Sequence, residues 1–485
     1  RLGPFYPARG RGGPSPRGDG GVTRTVIKAA WTIAAMGDRQ VPLPGHAVVV
    51  EDDRIVDVTR DPPADAETID LPGGILCPGM ANLHNHTING PLFRGIVDDL
   101  PRRAIGESKV YSVLMPMGSL AMTWLSEEQR RDLVALGLLE VLRSGATTMI
   151  DQFRPPQRVI LELAREWGLR LYGAPYLFSP ARSIADASVA RATQGSIEGD
   201  PGLAAFEALF REFDDGPRGR MRVILGPHAA DSCGPDLLAR VDALSRERDI
   251  LATIHLAQSQ GEVDRVAADR GMGTAAYMRS VGLMREGVVF AHGTHLDDAE
   301  LDMVAGSGAA IANCTSVFLR GGKSPNFHRF RSRGVRTGFG TDAERMDMFA
   351  QLRATGFASK QAFGMGDAAT AADLLHAATA GAADILRRPD LGRIARGATA
   401  DLLLVDAMKP HLQPVRDPVR TLVWYASGAD IHTIMIGGRR VVEAGRATGL
   451  DEASIVRRGA EATRALWDEA KRRGHFPAEA EPAQP

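Results

Sequence analysis

The chain has 485 residues, of which 44% are hydrophobic and 24% are charged, and its formal net charge is −1. This composition is typical of a globular protein with a large core, and the length suffices for one large and one smaller domain. The balanced charge argues against binding nucleic acid or an anionic membrane over a broad surface.

The chain contains no apolar run that approaches the roughly 18–20 residues needed to span a membrane. Its three cysteines, Cys77, Cys233 and Cys314, are an odd number and lie far apart in sequence. They do not form the spacing of a disulfide framework. We therefore expect reduced thiols and a cytoplasmic protein.

Both ends of the chain carry loose segments next to short β-like runs. Residues 1–22 are rich in Arg, Gly and Pro and lack a signal peptide's apolar stretch, so we expect a disordered tail, either native or translated ahead of the true start. Residues 23–75 and 396–447 alternate Val or Ile with polar residues, as in "HAVVVEDDRIVDV" and "IHTIMIGGRRVVEAGRA". Two interpretations are open. The two segments form unrelated sheets, or, as we favour, they form one β-sandwich. A C-terminal helix and tail follow over 448–485.

The central segment, residues 76–395, alternates short apolar runs with helical stretches, which is typical of parallel β/α units. One such helix begins at Ser126, which we expect to form a capping box with Gln129. Eight strands with intervening helices predict a TIM barrel, the (β/α)8 fold, because a closed barrel leaves no sheet edge. The eight strand candidates are "ILCPGMANLH", "GATTMIDQF", "LRLYGAPYLF", "MRVILGPHA", "ILATIHLA", "GVVFAHGTHL", "GAAIANC" and "GVRTGFGTD".

Polar residues follow these strands at the end where TIM barrels carry their chemistry. A single histidine is more often structural than functional, but several strand ends supply one here. Side chains two apart on a strand point the same way, so the histidines of "HNH" can face one ion. Three histidines and a carboxylate suit Zn²⁺, Fe²⁺ or another borderline divalent ion, which can lower the pKa of water to about 7. The strand-end residues are His84, His86, His228, His255, His292 and Asp342.

The order of motifs resembles the amidohydrolase superfamily, in the branch that holds cytosine, guanine and S-adenosylhomocysteine deaminases and s-triazine hydrolases. The resemblance covers about residues 23–465 and extends to members that hydrolyse phenylureas and thiocarbamates. The motifs that carry it are "LCPGMANLHNH", "LFRGIVDDLP", "GPHAADSC", "HLAQSQGE", "HGTHLDDAEL", "ANCTSVFLRGG", "GFGTDA" and "GRIARGATADLLLVD".

The resemblance implies a role for each strand-end residue. One divalent metal, preferably Zn with Fe, Co or Mn as alternatives, would be bound in the mononuclear pattern, since no lysine suited to carboxylation ends strand four. Asp342 would also take the water's proton, His292 would polarise the substrate or position the water, and His228 would contact substrate. The resemblance also implies a homodimer or larger homo-oligomer. The implied metal ligands are His84, His86, His255 and Asp342.

One position departs from the deaminases of this branch. They carry HxxE after strand five, whereas "HLAQ" places Gln258 where their Glu carries a proton. An amide can donate and accept hydrogen bonds, but it does not exchange a proton near neutral pH. Gln258 can therefore orient a substrate without acting as a general acid. Glu262 lies nearby and either takes a part in the chemistry or, as we favour, forms a capping box with Ser259.

This departure decides which activity we expect. Loss of a general acid costs on the order of 10²–10⁴ in rate, so attack on a heteroaromatic amine is disfavoured. A carbonyl can instead be polarised while charge builds on its oxygen. We predict hydrolysis of a carbon–nitrogen bond in a small amide, urea or carbamate. The alternatives are deamination or dechlorination of a purine, pyrimidine or s-triazine, and a catalytically dead barrel used for binding.

Several large apolar side chains are candidates for contact with a small-molecule substrate, and they can equally be packing residues. Most lie in the segment 91–125, which follows the first histidine pair. The candidates are Phe93, Tyr111, Met115, Met117, Trp124, Phe178 and Phe318.

Overall fold

The structure is a computed structural model. It describes residues 23–475 except 38, 97–98, 100–108, 155–157, 181–188, 190–198, 325 and 344. The predicted tail 1–22, the last residues 476–485 and part of the segment 91–125 therefore lie outside the described residues. No helix in the described part of the chain is long and apolar enough to cross a bilayer.

The N-terminal segment forms strands that alternate buried and partly exposed side chains. The fifth strand ends beyond the boundary predicted at residue 75. The strands are β1 (Arg24–Met36), β2 (Arg39–Pro44), β3 (Ala47–Glu51), β4 (Arg54–Thr59) and β5 (Glu67–Pro78).

The central segment forms a parallel barrel, as the eight strand candidates predict. Its fourth strand is split into two short pieces, so nine named segments make eight barrel strands. These are β6 (Met80–Asn85), β7 (Ala146–Phe153), β8 (Arg170–Leu177), β9 (Met221–Val223), β10 (Gly226–Pro227), β11 (Ala252–Leu256), β12 (Val288–His292), β13 (Ala310–Asn313) and β14 (Arg336–Phe339).

The barrel closes between its fourth and fifth strands. Two parallel bridges, Leu225 with Ala252 and Ala229 with His255, join the split strand to β11. The His255 N–H donates to the His228 carbonyl at 3.0 Å. Closure therefore sets two predicted site residues next to each other.

Helices cover the outside of the barrel. Ser126 accepts from the Gln129 N–H and Gln129 accepts from the Ser126 N–H, so the predicted capping box is confirmed. A π-helical turn over Val110–Leu114 leads into the second helix. The helices are α1 (Asn89–Phe93), α2 (Met115–Trp124), α3 (Glu127–Leu142), α4 (Val159–Trp167), α5 (Gly199–Phe213), α6 (Pro235–Arg248), α7 (Gln260–Arg270), α8 (Thr274–Ser280), α9 (Asp298–Ser307), α10 (Thr315–Arg320), α11 (Phe327–Ser332), α12 (Met348–Phe363), α13 (Ala371–Ala378) and α14 (Ala380–Ile385).

The C-terminal segment returns to the N-terminal strands and completes one mixed sheet. Its β15 pairs antiparallel with β5, which pairs parallel with β1, so the two ends do not form unrelated sheets. The predicted domain boundaries remain predictions. The remaining elements are β15 (Leu402–Asp406), α15 (Pro418–Tyr425), a 3₁₀ turn (Gly428–Asp430), β16 (Ile431–Ile436), β17 (Arg439–Glu443), β18 (Arg446–Ala447) and α16 (Glu452–Arg472).

A buried ion pair joins the barrel to the mixed sheet. Arg170, at the start of β8, donates to both carboxylate oxygens of Asp401 at 2.9 and 3.0 Å, and both side chains are nearly inaccessible to solvent. Asp401 also accepts from the Gly437 N–H at 2.7 Å. At the same junction, a Cβ on Gly79 would lie 2.1 Å from the Thr147 hydroxyl, so only glycine fits there.

We expect Arg170→Met to lower the free energy of unfolding by about 3–5 kcal/mol, because the Asp401 carboxylate would stay buried without its cation. Urea unfolding followed by circular dichroism measures this change. The matched control is Arg158→Met, which breaks exposed pairs with Glu162 and Glu212 and should cost less than about 1 kcal/mol. Equal losses in the two variants would contradict the role given to the buried pair.

Candidate active site

The six strand-end residues predicted from sequence meet in one place, at the C-terminal end of the barrel. Each of the five histidines has 5% or less of its surface exposed, and the Asp342 side chain is 14% exposed. The ring centre of His84 lies 4.7 Å from that of His86, 4.8 Å from that of His255 and 4.9 Å from that of His292.

The histidine tautomers are fixed by backbone carbonyls. His86 Nδ1 donates to the Gln152 carbonyl at 2.9 Å, and His255 Nδ1 donates to the His228 carbonyl at 2.5 Å. The two Nε2 atoms therefore carry lone pairs, and they face each other at 3.2 Å. Two lone pairs at this distance repel each other unless a cation lies between them.

These nitrogens fit a divalent metal ion. Zinc–nitrogen bonds of about 2.0–2.1 Å in a tetrahedral site place two nitrogens roughly 3.3 Å apart, close to the observed separation. Asp342 Oδ1 lies 3.6 Å from His86 Nε2 and 3.9 Å from His84 Nε2. Neither ring nitrogen of His84 has a hydrogen-bond partner among the described residues. The donor set His84, His86 and His255 with Asp342 can thus hold a metal.

Burial keeps these histidines in the neutral form that binds metals. It lowers the pKa of His86 to about 3 and that of His255 to about 4. Burial, followed by the charge of neighbouring histidines, lowers the pKa of His84 and His292 well below the usual value. Protons therefore do not compete for these nitrogens near neutral pH.

Cys314 joins this cluster and was missed from sequence. It follows β13, and its Sγ lies within 4.8 Å of ring nitrogens of His84 and His292. Burial, followed by the Asp342 carboxylate, raises the pKa of the thiol well above its usual value. The thiol donates to the Ala312 carbonyl at 3.6 Å, so it packs beside the site in its neutral form.

A second, polar network supports the histidine pair from behind. Asn85 points away from the site, and its amide donates to Asp151 at 2.8 Å while its oxygen accepts from the Thr341 hydroxyl at 2.9 Å. Asp151 also accepts from the Thr87 N–H and hydroxyl. Burial raises the pKa of Asp151 to about 7 against these hydrogen bonds. The network joins β6, β7 and the residue before Asp342.

Three residues leave the sheet in a left-handed backbone conformation that non-glycine residues rarely adopt. Ala257 has φ 48°, His292 has φ 82° and Asp342 has φ 58°. Such conformations cost about 1–3 kcal/mol each and persist where the surrounding structure enforces them. They turn the chain at three strand ends of the site.

Glu262 enforces one of these turns. Its buried carboxylate accepts from the N–H groups of Ala257 and Gln258, both at 2.9 Å. Ser259 caps α7 by accepting from the Glu262 N–H at 3.1 Å, but the returning bond that would complete the predicted capping box is replaced by these two. The capping-box prediction for Glu262 is therefore wrong in its second half. Burial, helped by the Asp231 carboxylate, raises the pKa of Glu262 above its usual range.

The pocket above these residues has mostly apolar walls. Of the candidates named from sequence, Phe93, Met115 and Phe318 line it. Tyr111 and Phe178 are buried behind it, with ring centres 6.3 and 4.9 Å from that of His228. Met117 is buried in the core, and Trp124 is 38% exposed. The pocket is lined by His86, Asn89, Phe93, Lys109, Val110, Leu114, Met115, Arg154, Tyr176, His228, His255, Gln258, Ser259, His292, Val317, Phe318, Gly321, Lys323, Asp342 and Ala343.

The residues assigned to substrate contact differ in how firmly they are held. His228 Nδ1 bonds the Ser232 hydroxyl at 2.7 Å, which fixes its ring. Gln258 lines the pocket, and its side-chain amide makes no hydrogen bond with the described residues. Tyr176, missed from sequence, places its hydroxyl 3.2 Å from His86 Nδ1. Its position at the end of β8 was the available signal.

Comparison with known proteins identifies the family. A sequence profile described as "Amidohydrolase family" matches residues 75–441. The chain belongs to the amidohydrolase family. It is a hydrolase that acts on carbon–nitrogen bonds, and the family predicted from its motifs is confirmed.

Curated relatives of this amidohydrolase include deaminases. The 5-methylthioadenosine/S-adenosylhomocysteine deaminase of Desulforudis audaxviator is 32% identical over 408 residues, which cover 82% of this chain and 89% of that protein. The 5′-deoxyadenosine deaminase of Methanothermobacter thermautotrophicus is 31% identical over 84% of this chain and 92% of that protein.

Solved structures share the fold over nearly the whole chain. A zinc-bound adenosine deaminase from Xanthomonas campestris superposes with a TM-score of 0.81 at 24% identity, over 92% of this chain and 99% of that one. The zinc complex of an atrazine chlorohydrolase from Arthrobacter aurescens superposes with a TM-score of 0.79 at 22% identity, over 90% of this chain and 100% of that one. The predicted TIM barrel with an added sheet from both chain ends is confirmed.

We expect His86→Ala and Asp342→Ala to abolish hydrolytic activity and to lower zinc affinity more than about 100-fold, since loss of an outer partner of a ligand already costs 10–100-fold. Elemental analysis of the purified chain and competition with a chromophoric chelator measure the affinity. His46→Ala, in the turn between β2 and β3, is the matched control. Unchanged zinc binding in both site variants would refute the metal site.

We expect Glu262→Ala to lower the free energy of unfolding by about 2–6 kcal/mol, because two buried N–H groups would lose their acceptor at about 1–3 kcal/mol each. Ser259→Ala removes only the helix cap and should cost about 1 kcal/mol. Thermal and urea unfolding of both variants give the comparison. If Glu262→Ala loses no more stability than Ser259→Ala, the hydrogen bonds of Glu262 to the N–H groups of Ala257 and Gln258 do not stabilise the fold as proposed.

Proposed function

We propose that this amidohydrolase is a metal-dependent aminohydrolase that releases ammonia from an amino-substituted nitrogen heterocycle. The observation that carries the proposal is the identity of 31–32% to purine-nucleoside-type deaminases over more than four-fifths of the chain. This reverses the order expected from sequence, where carbonyl carbon–nitrogen hydrolysis came first. The buried histidine cluster and the apolar pocket above it fit a planar ring.

We propose His84, His86, His255 and Asp342 as the metal ligands and zinc as the ion, with Fe, Co or Mn as alternatives. Bound there, a divalent ion supplies the Lewis acidity that lowers the pKa of water to about 7. The support for zinc is the separation of the facing histidine nitrogens and the zinc present in two structures of the same fold.

The chain's own groups would move and orient protons. The Asp342 carboxylate is the partly exposed acid of the pocket, and we assign it the proton of the attacking water. His292 Nε2 lies 4.0 Å from Asp342 Oδ2, and its lowered pKa keeps it neutral, so it can hold the water or the substrate by a hydrogen bond. His228 and Gln258 face the pocket and would contact the ring.

A second candidate function follows from Gln258. Its amide cannot protonate a ring nitrogen, whereas hydrolysis of an amide, urea or carbamate needs no ring protonation. A further alternative function is dechlorination of an s-triazine. The last alternative is a catalytically dead barrel with a binding role. A panel assay with the zinc-loaded chain separates these by product.

The panel contains 5′-deoxyadenosine, 5-methylthioadenosine, cytosine, aminotriazines, chlorotriazines, phenylureas, anilides and carbamates. Ammonia from an amino-heterocycle is the expected result. Amine release from a urea or anilide without ammonia would replace the proposal by the second candidate. Halide release would assign dechlorination, and a zinc-loaded chain that turns over nothing would be a dead barrel.

We expect Gln258→Glu to raise ammonia release by up to about 10²–10⁴, because it restores a carboxyl that can protonate the leaving group. The matched control is Gln260→Glu, the same change on the surface of α7, where Gln260 bonds Asp264. A fall in kcat for the Gln258 variant, with Gln260→Glu unchanged, would favour the carbonyl substrate.

We also propose a cytoplasmic homo-oligomer. The three cysteines are free and buried, which suits a reducing compartment. Phe357 and Tyr425 are 58% and 60% exposed. Large aromatic side chains at a surface are suited to burial against a second subunit. Light scattering coupled to size exclusion measures the oligomeric state.

A further inference from the structure

Arg154 is a buried cation in the wall of the pocket. It directly follows β7, and only 7% of the residue is exposed. It lines the main pocket and also a small recess beside it, where Asn89 and Tyr176 are its neighbours. Its charge is close enough to His86 and His228 to lower the pKa of both imidazoles.

The guanidinium has no carboxylate partner among the described residues. Nη2 donates to the Met115 carbonyl at 3.0 Å and lies 3.3 Å from the Met115 sulfur, while Nε is buried without an acceptor in the described part of the chain. Other buried arginines are paired differently. They form the pairs Arg170 with Asp401, Arg222 with Asp214 and Arg388 with Asp390.

The place of this guanidinium is built into the fold. Gly118 in α2 faces it, and a Cβ there would lie 2.4 Å from Arg154 Nη1. A residue larger than glycine at position 118 would therefore displace the charged group. Burial also lowers the pKa of the guanidinium, which is the cost of keeping a charge away from water.

The charges around the pocket point to an anion. Among the described residues, the charged side chains that line it are Lys109, Arg154 and Lys323 together with the carboxylate of Asp342. A divalent metal would add further positive charge. The walls above are apolar, with Phe93, Leu114 and Phe318 suited to an aromatic ring.

We propose that Arg154 binds a carboxylate carried by the substrate, so that the substrate class is small aromatic or heteroaromatic amines with an acidic substituent. This proposal rests on the proposed function for the ring and its amine. A guanidinium and a carboxylate are both planar and form charge-assisted hydrogen bonds, which repay the burial of the cation when the ligand is bound.

The test is calorimetric binding to the zinc-loaded chain of two matched probe pairs, 6-aminonicotinate with 6-aminonicotinamide and benzoate with benzamide. The wild type is expected to bind each carboxylate at least about 10-fold more tightly than its amide. Arg154→Met should abolish this preference, and Arg154→Lys should retain part of it. Lys323→Met, which removes one positive charge at the same pocket, should retain most of it.

Several outcomes would overturn the proposal. These are equal affinities within a pair, no binding of any probe at millimolar concentration, or a preference that survives Arg154→Met because the metal holds the carboxylate. An equal loss of the carboxylate preference in Lys323→Met would mean that the positive potential of the whole pocket, and not Arg154, selects the carboxylate. Without ligand, Arg154→Met should leave Tm unchanged or raise it, whereas a structural arginine would lower it.

The binding test and the ammonia assay can contradict the two proposals independently of each other. An Arg154-dependent carboxylate preference without ammonia release from any substrate overturns the proposed function and leaves the carboxylate site standing. Ammonia release from neutral heterocycles, with no carboxylate preference, does the reverse.

Discussion

The site depends on two imidazole lone pairs that the backbone forces to face each other. The Nε2 atoms of His86 and His255 lie 3.2 Å apart, and burial lowers the pKa of both rings, so neither takes a proton near neutral pH to relieve the repulsion. A cation between the two nitrogens would remove this repulsion. His84 and Asp342 lie beside this pair, and the closure of the barrel holds His255 in place. The four side chains therefore converge on one point.

The sequence allowed the barrel and the strand-end residues to be predicted because both follow local rules. Alternation along a strand placed His84 and His86 on one side, and the parallel β/α rhythm placed His255, His292 and Asp342 at the same edge. The capping box at Ser126 depends on four residues and was predicted for the same reason. Arg154 and Cys314 also follow strands and Tyr176 lies at the end of one, but their residue types gave no comparable signal.

Glu262 is a residue for which prediction from the local sequence pattern failed. The spacing from Ser259 fits a capping box, yet the carboxylate bonds the N–H groups of Ala257 and Gln258. Those groups turn inward because Ala257 adopts φ 48°, a conformation that no residue preference at this position indicates. The pairing of β5 with β15, and hence one sheet in place of two, likewise depends on contacts between distant segments.

The hydrogen bonds that fix the histidine tautomers come from the carbonyls of Gln152 and His228, not from side chains. A carbonyl is present whatever residue stands there, so substitution at positions 152 and 228 need not change the orientation of the two imidazoles. Substitutions that line the pocket can therefore change the contacts offered to a bound molecule while these two rings keep their orientation. Gln258, at a position where the family resemblance implies Glu, is a change of this kind.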